Sequence, residues 1–529
     1  MTKSRKTKHN YNVPPQEIKV LRQTKIDKQW TVTDTDKGLG PAIIETQKLY
    51  KTAHAEHLSN PKNYKEITKE HAETLNLSTF HRICKLMIDQ PHDEISHKFF
   101  VHKLIGDKPN RDQFGKVLPL PSLQLPYFYV LPKVHKTPWK TRPVVSSVST
   151  ALEPLSQWID DQLQQVLHLC PAYLKDSWHL LRKLKDIKQL PHDARLFTAD
   201  AVSMYSNIPT KHGLEVMKKW FDLHRNHLPK DYPVKRILEG LTIVMNFNVF
   251  TYGNRYFQQL NGTAMGTPCA CAYATIYYSY HEETQLVHTY QSPKPIMYVR
   301  LIDDALVIMR HTQDNCQKFI TKMNQFKDST NNGLEWEAES PSKQVNFLDL
   351  TLHTNAHNVI ETKTYQKAMN LYLYRPPTSN QPQAMLKGMI YSTLHRYLWQ
   401  NAQPQDFLRF TIKLLCDLER RGHSTDKLLK MFQQTIVKLQ KSKMPQQKIK
   451  KQHKKSNNCF LHVTFHRQNP SSKIIQQAFQ EHCVPAFEKH HLNIKRLIIA
   501  QHGSASISQM VKVNRLPETE NTTLAMGEC

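Results

Sequence analysis

The stretch MYVRLIDDALVIMR, residues 297–310, places two adjacent aspartates, Asp303 and Asp304, between two apolar runs. The flanking segments YVRLI and ALVIM are rich in aliphatic and β-branched residues, which are typical of buried strands. Two residues separate them, the length of a tight hairpin loop, although neither is the Gly or Asn that such loops favour. An exposed turn is the ordinary interpretation. The alternative is a divalent-cation site, because hard cations bind carboxylate oxygens and remove the repulsion between them.

A third carboxylate supports the second interpretation. Asp200 ends an apolar strand in LFTADAVSMYSNIPT, residues 196–210, and Tyr205 follows five residues later. In isolation, an aspartate at a strand end is usually a cap or turn residue. Together with the Asp-Asp hairpin, it predicts two strands of one sheet that present carboxylates to shared metal ions, the arrangement of two-metal phosphoryl transfer.

Between these segments lies QQLNGTAMGTPCACAYATIYY, residues 258–278, with Gly262 and Gly266 just before a predicted helix. Glycine permits the close approach of another backbone. A backbone segment that lies this close to its neighbour could form a flat support for a base pair. An ordinary loop at a helix N-terminus is the alternative.

The overall charge indicates the kind of partner. The chain of 529 residues has a formal net charge of +27, which favours a polyanion such as nucleic acid. Nine cysteines without a disulfide framework indicate a reducing compartment. No apolar run has the length of a membrane span, and no signal-peptide core follows the N-terminus. We therefore expect an intracellular protein that is not secreted and has no membrane partner.

The order of these motifs resembles the palm of a reverse transcriptase, and most closely that of the Penelope-like retroelement reverse transcriptases. The resemblance covers residues 30–435 in order, and several ordered motifs are more specific than one. The matching segments are DTDKGLGPAII (34–44), LPKVHK (131–136), RPVVSS (142–147), DAVSMYSNIP (200–209), GTAMGTP (262–268), RLIDD (300–304), NFLDLTL (346–352) and TKTYQKAMNLYLYRPPTSNQP (362–382).

The chain departs from the family pattern at three positions. Leu301 stands where the family usually has Tyr, Thr267 where it has Ser, and Gln381 where it has His. Many members also carry a GIY-YIG nuclease, but the chain contains neither a Gly-Ile-Tyr nor a Tyr-Ile-Gly triplet. We therefore expect no endonuclease domain of this type in the chain.

The resemblance implies an α+β, right-hand polymerase fold with fingers, a palm built on an antiparallel sheet, and a helical thumb, followed by a small C-terminal α/β module. The predicted domains are a basic flexible arm (1–30), an N-terminal extension with fingers (31–195), the palm (196–355), a thumb-like helical region (356–437), a Lys-rich linker (438–458) and the C-terminal module (459–529).

The resemblance also implies an RNA-directed DNA polymerase that uses an RNA template, a DNA primer and dNTPs. Asp200 and Asp303 would bridge two Mg²⁺ ions, with Mn²⁺ as an alternative metal. Asp304 would add a weaker contact, and the carbonyl of Ala201 would also reach a metal. Tyr205 would be the steric gate against a ribose 2′-OH; its alternative role is that of a core aromatic residue.

Other residues would bind the nucleotide. The triphosphate would be held by the basic residues Arg142, Lys133 and Lys136, whose alternative partner is the template RNA backbone. The floor under the template base and the dNTP would be shaped by Gly262, Met265 and Gly266 of the Gly-rich loop. Arg suits phosphate because its donors form a fork. Lys343, next to the NFLDL strand, would be the proton donor to pyrophosphate; a surface lysine without a role is the alternative.

The C-terminal third carries two further features. The segment KIKKQHKK, residues 448–455, predicts either a nuclear localisation signal or a solvated basic face, so the protein would be nuclear, or cytoplasmic before import. A zinc site could be built from Cys459, His462, His466 and Cys483, but no paired C-x-x-C is present, so an ordinary small α/β module is favoured.

Two rival functions remain open. The first is a catalytically silent or repurposed relative that binds nucleic acid; the intact carboxylates argue against it, and Leu301 leaves room for it. The second is an RNA-templated RNA polymerase or a telomerase-like enzyme. Tyr205 favours dNTPs over rNTPs, and residues 1–130 contain no RNA-binding domain that we recognise.

Overall fold

A computed structural model of the chain describes residues 14–26, 29–106, 123–287, 294–442, 444, 457–466, 469–503 and 512. These residues form two compact units. The larger unit contains residues 29–361 and 365–370, and the smaller contains residues 14–26, 362–364 and 371–503. Residues 1–13 of the predicted arm, most of the predicted linker 438–458 and the end of the C-terminal module lie outside the described residues. The predicted domain boundaries remain predictions.

Strands and helices alternate along the larger unit. Its strands are β1 (Trp30–Asp34), β2 (Pro41–Glu45), β3 (Tyr64–Ile67), β4 (Tyr127–Lys133), β5 (Lys140–Ser146), β6 (Ala194–Ala201), β7 (Val249–Tyr252), β8 (Arg255–Gln259), β9 (Met297–Leu301), β10 (Asp304–Arg310), β11 (Trp336–Ala338), β12 (Gln344–Phe347) and β13 (Leu350–Thr354). The first helix of the chain, α1 (Pro15–Ile26), belongs to the smaller unit. The helices of the larger unit are α2 (Thr46–Ala53), α3 (Lys69–Cys84), α4 (Glu94–Phe100), α5 (Leu152–Val166), α6 (Ser177–Lys185), α7 (Met204–Asn207), α8 (Thr210–Leu223), α9 (Val234–Asn246), α10 (Ala270–His281) and α11 (Gln313–Met323).

The central sheet of the larger unit is antiparallel, with the strand order β11-β6-β10-β9. Every side chain from Ala305 to Met309 on β10 is buried, so both faces of this strand are covered. A short, continuous apolar run is the pattern of such a strand. The predicted hairpin β9–β10 is confirmed, and so is the predicted strand that ends near Asp200.

Helix α10 lies in the core of this unit and packs against α5 and α8. Its residues are small or aromatic, and nearly all are buried, as expected for a helix that is apolar on every side. The predicted helix beginning at Ala270 is therefore confirmed. Because α10 follows the Gly-rich loop directly, it holds that loop beside the central sheet.

A second sheet has the strand order β3-β8-β7-β4-β5, with β4 and β7 parallel and the other neighbours antiparallel. Its core consists largely of aromatic rings: the Phe128 and Phe250 centroids are 5.5 Å apart, and Phe250 and Phe257 are 6.0 Å apart. Such ring pairs stabilise a sheet beyond their buried area. This sheet carries β5, which presents Arg142 to the site described below.

The segment 31–45 forms a hairpin in which β1 pairs with β2. The threonines of β1 are buried and their hydroxyls are paired: Thr31 Oγ1 lies 2.9 Å from Thr46 Oγ1. A buried hydroxyl costs desolvation free energy unless it forms a hydrogen bond, so these pairings allow the strand to be buried.

Part of the predicted arm is helical, because α1 occupies residues 15–26. Pro15 is the first helical residue, where its missing N–H costs nothing, and Glu17 lies in the first turn, where a negative charge is favourable. Helix α1 therefore lies within the predicted basic arm, whose flexibility stays a prediction.

The smaller unit is mainly helical up to residue 439. Strand β14 (Ile360–Thr364) leads into α12 (Gln383–Gln400), α13 (Pro404–Arg420) and α14 (Thr425–Leu439), which share one apolar core, as the amphipathic pattern of 383–437 predicts. The C-terminal region contains β15 (Asn458–Thr464), α15 (Ser472–Ala478), α16 (Val484–Lys489) and β16 (Arg496–His502). Strands β15 and β16 pair in parallel, so the predicted α/β character is confirmed. The chain as described thus has the predicted α+β fold class.

Candidate active site

The three predicted carboxylates lie together where strands β6 and β10 meet. Asp304, the first residue of β10, is the Cα partner of Asp200 on the neighbouring strand β6. Side chains directly opposite each other on an antiparallel pair project from the same face. Asp303 lies in the turn before β10, and its carbonyl accepts a hydrogen bond of 2.9 Å from the N–H of Ala201. The backbone therefore fixes the relative positions of all three aspartates.

The Asp-Asp turn is held by a buried ion pair. Ile302 has φ +57°, a left-handed conformation that is unusual for a β-branched residue. Arg300 Nη1 donates to the Ile302 carbonyl at 2.7 Å, and the same guanidinium pairs with Glu282 at 2.6 Å (Nε–Oε1) and 2.9 Å (Nη2–Oε2). Arg300 and Glu282 are both buried, so loss of one partner would cost about 3–5 kcal/mol. This pair thus stabilises the turn that presents Asp303.

The carboxylates repel one another. The pKa of Asp304 is raised to about 6 by desolvation first, and then by the charges of Asp303 and Asp200; Lys367 and Lys37 oppose the shift. The pKa of Asp200 is raised by desolvation and then by Asp303. Both side chains are open to solvent, yet the protein around them displaces enough water to disfavour ionisation. A divalent cation bound beside Asp200 and Asp304 would lower the pKa of both carboxyl groups.

The donor set fits a hard cation, because all three side chains offer carboxylate oxygens. Among the described residues, however, no group of three or more His, Cys, Asp or Glu side chains has the arrangement of a metal site. Asp200, Asp303 and Asp304 are neighbours whose side chains do not converge on one point. Metal binding at this site therefore stays a prediction.

The four residues of the predicted zinc site are also not arranged around one point. Cys459, His462, His466 and Cys483 are all described, and they do not form a metal-binding group. His462 pairs instead with His502 on the neighbouring strand, with Nδ1 and Nε2 2.8 Å apart and the rings stacked. The zinc interpretation therefore gains no support.

The Gly-rich loop contacts the segment that follows β6 of the central sheet and the strand β5 of the second sheet. A Cβ on Gly262 would lie 2.7 Å from the Tyr205 carbonyl, and one on Gly266 would lie 2.5 Å from the Val145 carbonyl. Both glycines have positive φ, +78° and +106°. The N–H of Val145 donates to the Met265 carbonyl at 2.8 Å. The predicted close backbone approach is confirmed, and its partners are the turn after β6 and the strand β5.

Tyr205 lies in α7, directly after the strand that carries Asp200. Its hydroxyl lies 3.1 Å from the Sγ of Cys271, in the first turn of α10. The pKa of Tyr205 is raised by burial first, and then by Cys271 and Asp303; Arg142 opposes the shift. The ring therefore lies within the field of both the carboxylate turn and the basic strand β5.

Three predicted basic residues lie on or after the strands β4 and β5. Arg142 pairs with Asp36, with Nε 3.1 Å from Oδ1 as an ion pair and Nη2 donating to Oδ2 at 3.4 Å. The pKa of Lys133 is lowered by burial and then by the positive charge of Arg142, with a smaller effect of Lys136. Lys136 is exposed in the loop after β4. The charges of these residues therefore act on one another.

Lys343 is not brought to the carboxylates. It is exposed and follows Ser342, whose backbone exchanges hydrogen bonds of 2.8 and 2.9 Å with Leu196. Leu196 is four residues from Asp200 along β6, a distance of about 13 Å. A proton-transfer role for Lys343 remains an untested prediction.

The structure places residues at the site to which the sequence assigned no role: Asp36, Lys37, Cys271, Glu282 and Lys367. Asp36 and Lys37 belong to the segment DTDKGLGPAII, and Lys367 belongs to the segment 362–382. Membership of these family-like segments is the only sequence feature that points to a role for them. For Cys271 and Glu282 the sequence carries no signal, because their partners are 66 and 18 residues away.

No protein-family model matches the chain, and no curated protein matches it. Its fold is similar to solved polymerase structures. Telomerase from Candida albicans in complex with a TWJ fragment of telomeric RNA is 12% identical over 79% of this chain and 63% of that chain, with a TM-score of 0.49. Apo telomerase from Candida tropicalis is 10% identical over 79% of this chain and 66% of that one, with a TM-score of 0.44. The Sicinivirus 3Dpol RNA-dependent RNA polymerase is 10% identical over 79% of this chain and 95% of that chain, with a TM-score of 0.40.

The chain spans less than two thirds of the length of the telomerase chains named above. Within the described part of the chain, no helix is both long and apolar enough to cross a membrane.

Proposed function

We propose that this protein is an RNA-directed DNA polymerase of a retroelement, related to the Penelope-like reverse transcriptases. The observation that carries the proposal is the register of the central sheet, which sets Asp304 opposite Asp200 and puts Asp303 in the turn beside them. Three neighbouring carboxylates, of which Asp200 and Asp304 have a raised pKa, next to an aromatic residue and a basic strand, are suited to nucleotidyl transfer.

In this proposal Asp200 and Asp303 would hold two Mg²⁺ ions, Asp304 would add a weaker contact, and the Ala201 carbonyl would be a further oxygen donor. When bound, Mg²⁺ would supply the Lewis acidity that favours a primer 3′-oxyanion and neutralises the triphosphate. The side chains have to rotate toward a common point for this, because they do not converge as they stand. Arg300 and Glu282 keep the turn in place while they do so.

Nucleotide selection would depend on Tyr205 and the Gly-rich loop. The Tyr205 ring, tied to Cys271, would fill the space that a ribose 2′-OH needs, so that dNTPs are preferred. Gly262, Met265 and Gly266 would form the floor under the template base pair. Arg142 and Lys133 would bind the triphosphate, and the basic surface of the chain would bind template RNA and DNA primer in the nucleus.

A second candidate is a catalytically silent relative that binds nucleic acid. One observation favours it, namely that the three carboxylates lack the arrangement of a metal site. Leu301, in place of the family Tyr, is compatible with either function.

Primer extension on an RNA template, with Mg²⁺ and dNTPs, tests the proposal. Wild type should extend the primer, Asp303→Ala should not, and Asp314→Ala is the matched control, because Asp314 is an exposed aspartate on α11 that pairs with Lys318. Extension by wild type and control alone supports the reverse transcriptase. Retained RNA binding with no extension by any variant favours the silent relative, and equal extension by all three excludes the assigned carboxylates.

A further inference from the structure

The parallel strands β15 and β16 of the smaller unit form a two-stranded sheet whose two faces differ in exposure. Side chains alternate between the faces along a strand, and residues that pair across two strands share a face. Leu497, on one face, is 7% exposed, whereas Phe460, on the other, is 55% exposed. The face of Phe460, here called the open face, also carries His462, Thr464, Arg496, Ile498 and His502.

Two histidines on the open face orient each other. His462 Nδ1 and His502 Nε2 are 2.8 Å apart, a hydrogen-bond distance, and the two ring planes differ by only 11°. Ring nitrogens lie at the edge of an imidazole, so this bond fixes both rings and leaves ring surface available for a ligand. Both histidines are exposed. Phe460 and His462 are two residues apart along β15, about 7 Å, so each ring can stack against a base of its own.

The charge of this region has one sign. Neither β15 nor β16 contains Asp or Glu, and Arg496, a diagonal neighbour of Phe460, is exposed. In the sequence, residues 427–480 contain twelve Lys or Arg and no Asp or Glu. Exposed rings beside an arginine, without a carboxylate, complement the bases and phosphates of a nucleic acid. The centre of a protein-docking surface is instead apolar and depleted of charge.

We infer that the open face is a binding site for single-stranded RNA, in which Phe460 and the His462–His502 pair stack against unpaired bases and Arg496 binds a phosphate. Thr464 places an exposed hydroxyl on the same face, and a hydroxyl can both donate to and accept from a ribose 2′-OH. A duplex does not fit, because its bases are stacked on one another. The inference goes beyond the proposed function, since this site requires no polymerase chemistry.

Photocross-linking of the full chain locates the bound RNA. A single-stranded RNA of mixed sequence, with 5-iodouridine in place of uridine, is bound and irradiated, and the adducts are mapped by mass spectrometry. Adducts at Phe460, His462 or His502 are expected, because the iodinated base reacts with the aromatic side chain on which it is stacked. Adducts confined to residues outside the open face would overturn the inference.

The yield of adducts at the two histidines is then followed against RNA concentration, so that this site is read separately from any other. Phe460→Ala should raise the midpoint about tenfold, the loss of one stacking contact, and Phe460→Leu should do the same. Phe460→Tyr keeps the ring and should stay within about twofold of wild type. Ile474→Ala is the matched control, because Ile474 is 60% exposed on α15, outside the sheet. Equal midpoints for wild type and Phe460→Ala, or an equal rise in the control, would overturn the stacking role.

Two further variants separate RNA from other polyanions. Thr464→Val should reduce the preference for RNA over DNA of the same sequence. Arg496→Gln should reduce the slope of log affinity against log salt by about 0.7, one phosphate contact, whereas Phe460→Ala should leave the slope unchanged. Equal midpoints for RNA and DNA with wild type would overturn the assignment to RNA. Equally effective competition by double-stranded and single-stranded RNA would overturn stacking on unpaired bases.

Primer extension by the same proteins separates this inference from the proposed function. With a saturating, pre-annealed primer and template, Phe460→Ala should extend with the kcat of wild type. Adducts that depend on the Phe460 ring, in a wild type that does not extend a primer, would support this RNA site and contradict the polymerase. Extension by wild type without adducts at the open face would overturn the RNA site and support the polymerase.

Discussion

At the scale of single residues, the contact between Tyr205 and Cys271 decides how firmly the proposed sugar gate is held. The two side-chain atoms are 3.1 Å apart, and Cys271 belongs to the mostly buried helix α10 whereas Tyr205 belongs to a short turn of helix. A gate discriminates by steric exclusion, so it must resist displacement by a 2′-OH. A thiol on a buried helix can supply that resistance through one hydrogen bond.

Replacement of Cys271 by Ala should therefore weaken discrimination between dNTPs and rNTPs, by about threefold to tenfold, the worth of one hydrogen bond. Cys271→Ser keeps a hydrogen-bonding group and should retain most of the discrimination. The measurement is the ratio of kcat/KM for dTTP and UTP in each variant. If Cys271→Ala has the wild-type ratio, Tyr205 is held by packing alone.

The second prediction at this scale concerns Asp304, whose pKa is raised to about 6. The folded state favours its neutral form, so the loss of stability begins as the pH rises above the unfolded pKa of about 4, is complete above about pH 6, and is absent below about pH 4. Asp304→Asn should raise the melting temperature by about 1–3 °C at pH 8 without divalent cations. This gain should disappear below about pH 4.

Thermal unfolding in EDTA and in Mg²⁺ across this pH range is the measurement. Mg²⁺ should stabilise wild type more than Asp304→Asn, because the cation relieves the repulsion that the variant has already lost. Asp314→Asn, on the exposed face of α11, serves as the control for a simple change of charge. A constant difference between wild type and Asp304→Asn at every pH would contradict the assigned ionisation.

At the scale of elements, the Gly-rich loop connects the segment after β6 of the central sheet with β5 of the second sheet through backbone contacts. Gly266→Ala would put a Cβ 2.5 Å from the Val145 carbonyl at φ +106°, so we expect a loss of stability of about 1–3 kcal/mol. Gly388→Ala is the matched control: Gly388 lies inside α12 with nothing within 4 Å of an added Cβ, and the change should stabilise by about 0.5–1 kcal/mol.

Urea unfolding of both variants checks this pair of predictions, and primer extension adds a functional readout. Gly266→Ala should also reduce extension, since the loop would have to move away from β5. Gly388→Ala should extend as wild type does. Equal stability of the two variants would mean that the loop can shift without cost, and its close contact with β5 would not be required.

The elements around the site differ in how far they could be predicted. The hairpin β9–β10 follows from its sequence, because a continuous apolar run interrupted by two carboxylates fits few other structures. The hairpin β1–β2 does not, since buried threonines look like surface residues until Thr46 is seen to pair with Thr31. Pairings between distant residues, such as Arg300 with Glu282, depend on the tertiary fold and leave no local pattern.

The residues of the site also differ in how far the sequence predicts their positions. Asp200 and Asp304 could be assigned because they sit at strand ends, where the register of the sheet brings them together. Lys37 could not, because its position depends on the left-handed turn after β1. The placement of Lys343 near the start of β6 likewise follows from how Ser342 pairs with Leu196, which sequence spacing does not reveal.

At the scale of the whole molecule, the net charge of +27 governs encounter with nucleic acid. Binding of a single-stranded RNA releases condensed counterions, so the affinity should fall steeply with salt. With about five phosphate contacts, the dissociation constant should rise about a hundredfold between 50 and 200 mM salt. Fluorescence anisotropy with a labelled RNA of mixed sequence measures this slope.

The same assay separates binding from chemistry, because the carboxylates are a small part of the total charge. Asp303→Asn should bind RNA in EDTA at least as tightly as wild type, since it removes one negative charge near the proposed path of the backbone, and its salt slope should be the same. It should nevertheless fail to extend a primer. A variant that loses RNA binding together with extension would show that Asp303 supports the nucleic-acid surface itself, and the carboxylate turn would then be structural rather than catalytic.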